Sequence, residues 1–311
     1  MPRALKIIGM DGIGDCIYQR PFVRMQSKRF DVSLRTAWPE LYDDLPIKFI
    51  ASHTPLRTQR KNVERQVFTR WTRNQPSART VQIRYGAADL AVRGIVESLA
   101  LQYPRVSDAY IMDLPDFGPC PITHRKPIAL LRPTTLRKEW LNPARSPLPE
   151  YIQETVAILQ SRGYMVVSVA DVDYKDEWFD GPEPTGVDVK FHRGELGISS
   201  LMALVQHSAV IVGGVGWIVP AAVAAGKPLF VIFGGRGKHN GPDKIFDARM
   251  DTRKVGWAMP DNFCMCSEAE HDCDKTIANF AGVFERWLGC LDLASRAGDG
   301  LLSSGQELAA L

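Results

Sequence analysis

Three groups of residues in this sequence carry reactive or ligating side chains at close spacing. The first is Met10-Asp11-Gly12-Ile13-Gly14-Asp15, which follows the apolar run ALKIIG at residues 4–9. Asp15 stands where a helix should begin. It reads either as a capping carboxylate worth about 1 kcal/mol or as a general base facing a cleft. The second is Arg132-Pro133-Thr134-Thr135-Leu136-Arg137-Lys138-Glu139-Trp140, directly after an apolar stretch ending at Leu131. Two hydroxyls, two guanidiniums and an ammonium supply the donors and positive charge that a diphosphate needs. The glycine–lysine pattern of a Walker loop is missing, and a solvated loop is the alternative. The third is Cys264-x-Cys266-x4-His271-x-Cys273, with four ligands within ten residues. A Cys3His set suits a closed tetrahedral zinc site of structural role. Its spacing is tighter than the usual two-residue knuckle, and a loop packed without metal is the alternative.

A longer stretch, residues 209–244, organises the second half of the chain. Two apolar runs, 209–212 and 229–233, flank a small-residue segment at 217–225 that reads as a short helix. Gly213, Gly214 and Gly216 follow the first run; Gly234, Gly235 and Gly237 follow the second, with Arg236, Lys238, His239 and Asn240 among and after them. Strand, glycine-rich turn, helix, strand is the pattern of a parallel α/β sheet. Ligands of such sheets sit beyond the carboxyl ends of the strands, where glycine lets the backbone approach a phosphate or sugar. Tight turns alone would also use these glycines.

The elements that must position these groups follow in order. Strands are expected at 4–9, 31–36, 47–52 and 80–85, with helices near Cys16, at 38–44 and at 90–101. Residues 116–127 (DFGPCPITHRKP) hold three prolines and a glycine and mark a linker. Beyond it, strands are expected at 127–131, 164–170, 187–191, 209–212 and 229–233, with helices at 149–161, 199–207 and 276–288. This is a doubly wound α/β plan in two halves.

With 311 residues, 45% apolar and 23% charged, the chain suits two domains with substantial cores. No apolar run approaches the roughly 20 residues of a membrane span, and the start MPRALKIIGMDG lacks a secretion h-region, so a cytoplasmic protein is expected. A disulfide framework is not expected there. Net charge is +3 but uneven: eight Arg or Lys and a single acid, Glu64, lie between Arg57 and Arg84. That segment is either a solvated basic face or a surface for an anionic partner such as phosphate, lipid headgroup or nucleic acid.

These motifs together resemble glycosyltransferase family 9, the heptosyltransferase-like enzymes of the GT-B fold. Gly14-Asp15 followed by Pro21 resembles the family's N-terminal Gly-Asp…Pro motif. Thr134-Thr135…Lys138…Trp140 resembles its Thr/Ser…Lys…Trp loop, and residues 201–233 its closing pattern, while the late Cys-x-Cys…His-x-Cys is similar to a loop of many members. The resemblance implies two Rossmann-like domains facing a central cleft: 1–120 for the acceptor, 126–275 for the nucleotide-sugar donor, then a helix at 276–292 and a loose tail at 293–311. It implies inverting sugar transfer without a metal-dependent step, with Asp15 as base. Gly14, Arg132, Thr134, Thr135, Lys138, Gly214, Gly216, Gly234, Gly235, Arg236, Lys238, His239 and Asn240 would hold the donor. Arg20, Arg57, Arg60, Lys61 and Trp71 would hold the acceptor or another anion. Gly214 and Val219 stand where the family commonly has Asp and His, which shifts polar donor contacts toward 236–240. A saccharide is the expected acceptor. DNA bearing a hydroxylated base, held by the basic segment, and a non-catalytic nucleotide- or sugar-binding protein are the alternatives.

Overall fold

The structure, a computed structural model, describes residues 3–54, 56–65, 71–72, 78–102 and 110–297. Two parallel sheets dominate it. The first is built from β1 (Ala4–Ile8), β2 (Asp31–Thr36), β3 (Lys48–Ala51) and β4 (Arg79–Gln82), in the order β3-β2-β1-β4. Helix α1 (Ile13–Ser27) follows β1 directly, and α2 (Arg57–Arg65), α3 (Ala87–Leu90) and α4 (Ile95–Gln102) complete this half.

The second half contains β5 (Ile128–Arg132), β6 (Thr135–Arg137), α5 (Pro149–Ser161), β7 (Met165–Val169), β8 (Glu177–Phe179), β9 (Val189–Phe191), α6 (Ile198–His207), β10 (Val210–Gly214), α7 (Ile218–Ala224), β11 (Leu229–Ile232), α8 (Gly237–Asn240), α9 (Pro242–Ile245), β12 (Val255–Ala258) and α10 (Phe280–Ala297). Its six-stranded sheet runs β12-β11-β10-β5-β7-β9, all parallel. Central strands covered on both faces need apolar side chains throughout, and Val210, Ile211 and Val212 are fully buried, as are Ala129, Leu130 and Leu131. One face is covered by α5 and α10, where Phe230, Phe280, Phe284 and Trp287 form an aromatic cluster. The other face joins a continuous apolar core that includes the first half, passing through Ile17, Ile218 and Val219.

The strand orders fix where ligands can sit. In the first sheet β2 and β4 flank β1, so the order reverses between β1 and β4; in the second it reverses between β5 and β10. Crevices open at such reversals, beyond the carboxyl ends of the strands. Asp15 follows β1 and Tyr85 follows β4; Arg132 ends β5 and Gly214 ends β10.

Several expectations are corrected. The basic segment opens with an ordered nine-residue helix, α2. The expected helix at 90–101 is broken into α3 and α4 at Gly94, where the backbone approaches Asp243 so closely that a Cβ would lie 2.9 Å from its carbonyl oxygen. Thr135–Arg137, expected as loop, pairs antiparallel with Glu177–Phe179. Strand β12 was not expected, and α10 runs to Ala297 rather than ending near 288. Residues 103–109 and the tail beyond 297 lie outside the described residues.

Candidate functional site

The site grows from the two strand-order reversals, which face each other across a cleft of about 700 Å³, open to solvent at its mouth. Ile13, Trp38, Lys61 and Asn62 line it from one side; Arg132, Arg137, Asp171, Glu177, Phe191, Ile198 and Trp217 from the other. At its inner edge the two halves touch, since a Cβ on Gly14 would lie 3.1 Å from Trp217 Cα. Gly14 thus serves close packing of α1 on α7.

Asp15 lies in the first turn of α1. Tyr85 donates a hydrogen bond to its Oδ1, and its Oδ2 lies back over Gly12, where a Cβ would come within 2.5 Å. Burial raises the Asp15 pKa above its ordinary value of 3.8; the Tyr85 hydrogen bond and the charge of Arg145 oppose this, and Asp11 adds to it. A carboxylate so placed is a stronger base than a solvated one. Asp11 is itself engaged, accepting from Ser52 Oγ at 2.7 Å.

Across from it stands a group of guanidiniums. Glu177, whose side chain is 2% exposed, pairs with Arg137 Nε at 2.9 Å, Arg57 at 3.6 Å and Arg132 at 3.7 Å. Thr135 Oγ1 accepts from Arg132 at 2.9 Å and donates to Glu177 at 2.7 Å, so its hydroxyl is spent inside the protein. Thr134 Oγ1 is buried and has no partner. Burial brings Arg132 down to about 10, and Glu177 opposes this. Burial also brings Arg145 to about 10, aided by Arg132, Arg137 and Arg236 and opposed by Asp15. Lys138 is exposed; only its backbone is held, donating to Asp176 O at 2.9 Å. Arg137, not Lys138, lines the cleft.

The glycine turns of 213–237 are mostly packed shut. A Cβ on Gly234 would lie 2.3 Å from Ser146 O, and on Gly235 2.2 Å from Cys273 Sγ, whereas Gly216 borders open space and Gly214 meets Pro147 at 3.2 Å. Arg236 takes a left-handed backbone (φ 57°) and donates from Nε to Ser267 O at 2.9 Å. Lys238 is exposed, while His239 and Asn240 are buried; Asn240 Nδ2 donates to Arg236 O at 3.3 Å. Burial, with Arg236 and Lys238, lowers the His239 pKa. The residues 236–240 thus form a braced turn, and only part of it is free for contacts.

The residues expected to hold an acceptor or anion are largely spent. Arg20 is fully buried: it forks onto Asp44 at 2.8 and 2.6 Å, reaches Leu41 O at 2.7 Å and pairs with Asp113 at 3.1 Å. Arg57 pairs with Asp171 and Asp173 at 3.4 and 3.3 Å, and Lys61 with Asp171 at 2.8 Å. These ion pairs cross the cleft from α2 to the far wall. Arg60 is exposed and meets Glu64 at 3.8 Å. Trp71 packs edge-on to Phe49 with ring centroids 6.3 Å apart, in the first core rather than as a free stacking platform.

Cys264, Cys266, His271 and Cys273 bring four ligand atoms within 4.8 Å of one another. Their separations of 3.7 Å (Cys264 Sγ to His271 Nδ1) and 3.6 Å (Cys266 Sγ to Cys273 Sγ) are the edges of a tetrahedron around a metal with bonds near 2.0–2.3 Å. The three cysteines are free thiols. The donor set fits a thiolate-rich ion such as zinc or iron, and four protein ligands leave no open position. The loop also grips the neighbouring turns: Gly237 N donates to Cys264 O at 2.8 Å and Ala144 N to Ala269 O at 2.9 Å.

Solved structures share this architecture. The bacterial iron-containing dodecameric glycosyltransferase TibC from enterotoxigenic E. coli H10407 aligns with a TM-score of 0.61 at 15% identity, over 93% of this chain and 77% of TibC. A second TibC structure, described as a heptosyltransferase in complex with ADP-D-beta-D-heptose, aligns at 0.60 and 15%, over 94% and 78%. The E. coli ADP-heptose lps heptosyltransferase II aligns at 0.58 and 13%, over 95% and 100%. A family 9 glycosyltransferase from Veillonella parvula DSM 2008 aligns at 0.52 and 9%, over 79% and 84%. The fold is the heptosyltransferase-like GT-B fold. No family model matches the sequence, and no curated protein does either. Among the described residues no helix is long and apolar enough to cross a membrane.

Within this heptosyltransferase-like fold, three residues in or beside the cleft escape a reading of the sequence: Tyr85, Arg145 and Glu177. Tyr85 stands just beyond the end of β4, a signal that could have found it. Glu177 opens the three-residue strand β8 and Arg145 ends a 3-10 turn, and only the pairing of β6 with β8 and the packing of 143–146 on Gly234 bring them in.

Proposed function

We propose that the protein is a glycosyltransferase that moves a sugar from a nucleotide-sugar donor to an acceptor hydroxyl with inversion. The observation that carries this reading is one partly buried carboxylate, Asp15, with its pKa raised, close enough to feel the charge of Arg145, which Arg132, Arg137 and Arg236 surround. Asp15 takes the proton of the acceptor hydroxyl as it attacks the anomeric carbon. The cations stabilise the diphosphate as charge develops on it, the stage at which fixed charge accelerates the step. The unpartnered Thr134 hydroxyl supplies a further donor. Residues 126–275 hold the donor and 1–120 the acceptor in this reading. The complex of TibC with ADP-D-beta-D-heptose supports a nucleotide-sugar donor on this fold. A metal at the Cys3His site, if bound, braces the loop beside Arg145 and Arg236.

A saccharide acceptor is favoured over DNA. Arg57 and Lys61 are neutralised across the cleft, Arg20 is buried between two carboxylates, and Trp71 is packed on Phe49. The test is to incubate the protein with a panel of nucleotide sugars and follow release of nucleoside diphosphate by phosphorus NMR. Release from one donor, lost in Asp15→Asn, is the expected result. No release from any donor, with or without saccharide acceptors, would sink the reading.

A further inference from the structure

One member of the cation group has no partner. Arg132 and Arg137 share Glu177, and Arg236 donates to Ser267 O. The Arg145 guanidinium makes no hydrogen bond or ion pair among the described residues, and lies 6.0 Å from the centroid of the Trp140 ring. Yet its loop is rigidly held. Residues Pro143–Arg145 form one 3-10 turn. Gly235 N donates to Ala144 O at 2.7 Å, Ala144 N to Ala269 O at 2.9 Å, and Lys275 Nζ to Pro143 O at 2.8 Å. A fixed backbone carrying five unspent donors, partly buried among like charges, is costly unless an anion completes it. Burial and three neighbouring guanidiniums hold Arg145 at about 10, which is the electrostatic trace of that cost. Lys138 is exposed, whereas the Arg145 turn packs on the glycines that follow β11, with Arg145 O 2.5 Å from where a Cβ on Gly234 would lie.

We infer that Arg145, rather than Lys138, holds the departing diphosphate of the donor; this rests on the glycosyltransferase reading above. In the step, the acceptor oxygen bonds to the anomeric carbon and its proton passes to Asp15. The bond from that carbon to the diphosphate oxygen breaks, and the electron pair stays on the diphosphate. Arg145 receives the growing charge through a two-pronged hydrogen bond and loses no proton. The unliganded protein bears the cost of the unpaired cation. That cost is full below about pH 10 and eases above it, because the folded-state pKa lies below the unfolded one.

The test uses inorganic pyrophosphate, which needs no knowledge of the base or sugar. Calorimetric titration of the full chain compares wild type, Arg145→Gln, Arg145→Lys and Lys138→Ala, with thermal midpoints measured without ligand. Arg145→Gln is expected to weaken pyrophosphate at least about tenfold, as loss of a charge-assisted pair would, while its unliganded midpoint holds or rises. Arg145→Lys keeps the charge but not the fork and should fall between. Lys138→Ala should bind within about twofold of wild type, as an exposed side chain away from the site would. Wild-type binding in Arg145→Lys and Arg145→Gln, or a loss carried by Lys138→Ala, overturns the assignment but leaves the glycosyltransferase reading standing. Wild-type protein that binds neither pyrophosphate nor ADP, UDP, GDP or CDP overturns both.

Discussion

Two sets of cations stand in and beside the cleft, and they differ in what balances them. Arg57 and Lys61 on α2 meet Asp171, Asp173 and Glu177 on the opposite wall. Arg145, with Arg132, Arg137 and Arg236 around it, has Glu177 shared among two of its neighbours and nothing of its own. By count of basic residues the first set looks the better anion site, because eight Arg or Lys cluster between Arg57 and Arg84. By pairing it is the poorer one. Paired cations join the two walls of the cleft; unpaired ones wait for a ligand.

The contrast can be broken or sharpened by substitution. The largest effect is expected at the carboxylate the unpaired set faces. Asp15→Asn should slow transfer about 10³-fold, within the range for general bases, while pyrophosphate affinity, read by titration, stays near wild type. Turnover of the wild type should fall as pH drops through the Asp15 pKa, which lies above 3.8. Tyr85→Phe removes a hydrogen bond that favours the ionised form, so the acidic limb of its pH–rate profile should move to higher pH. A limb unmoved in Tyr85→Phe would remove that role.

Next comes Gly12→Ala. Its backbone at φ −71° admits alanine, but the Cβ would press on Asp15 Oδ2 at 2.5 Å. A displaced base should cost about 10²-fold in kcat with little change in thermal midpoint. A loss of midpoint as large as that of a core substitution would assign Gly12 to stability instead.

Smaller again is metal release. Chelation, or Cys273→Ser, should free the loop that grips Ala144 and Gly237, and lower pyrophosphate affinity about tenfold, or about 1.4 kcal/mol. Metal analysis should find one ion per chain, lost in Cys264→Ser. Pyrophosphate binding unaffected by chelation would detach the brace from the cation set.

The smallest effect belongs to the paired set. Arg57→Gln should cost about 1 kcal/mol of stability at neutral pH and leave pyrophosphate binding unchanged. Burial raises the Asp173 pKa, but the backbone N–H groups of Asp176, Glu177 and Lys175, with Arg57, outweigh it and hold it at about 2. Its contribution is therefore present above 3.8 and lost as pH falls through about 2, and the cost of Arg57→Gln should shrink over that window. A pyrophosphate affinity that fell with Arg57 would place the anion on the wrong set.

Much of the fold was legible in the sequence. Asp31–Thr36 and Pro149–Ser161 lie where alternation and helical spacing put them, because each buries one consistent face. The interrupted helix at 87–102 was not, since the break at Gly94 answers to Asp243, far away in the chain. Strand β12 is only four residues long and earns its place by pairing with β11. For the site, the Cys3His set stands out by local spacing and its four ligand atoms do converge, while Asp15 stands out by its place after β1 and lies against the Tyr85 hydroxyl. Arg145 and Glu177 had no local signal. Their meaning comes from which charges fold together, and Arg20, Arg57 and Lys61 differ from Arg145 only in having carboxylates that the fold delivers.

Whether the cation group beside Asp15, with Arg145 as its unpaired member, binds a nucleotide-sugar diphosphate is tested by a thermal-shift comparison on the full chain. ADP, UDP, GDP and CDP are each set against their nucleosides, since a ligand that binds the native state raises the midpoint. At least one diphosphate should raise the midpoint while its nucleoside does so far less, and Arg57→Gln should keep the difference while Arg145→Gln loses it. No shift with any diphosphate, or equal shifts with diphosphate and nucleoside, would contradict such binding.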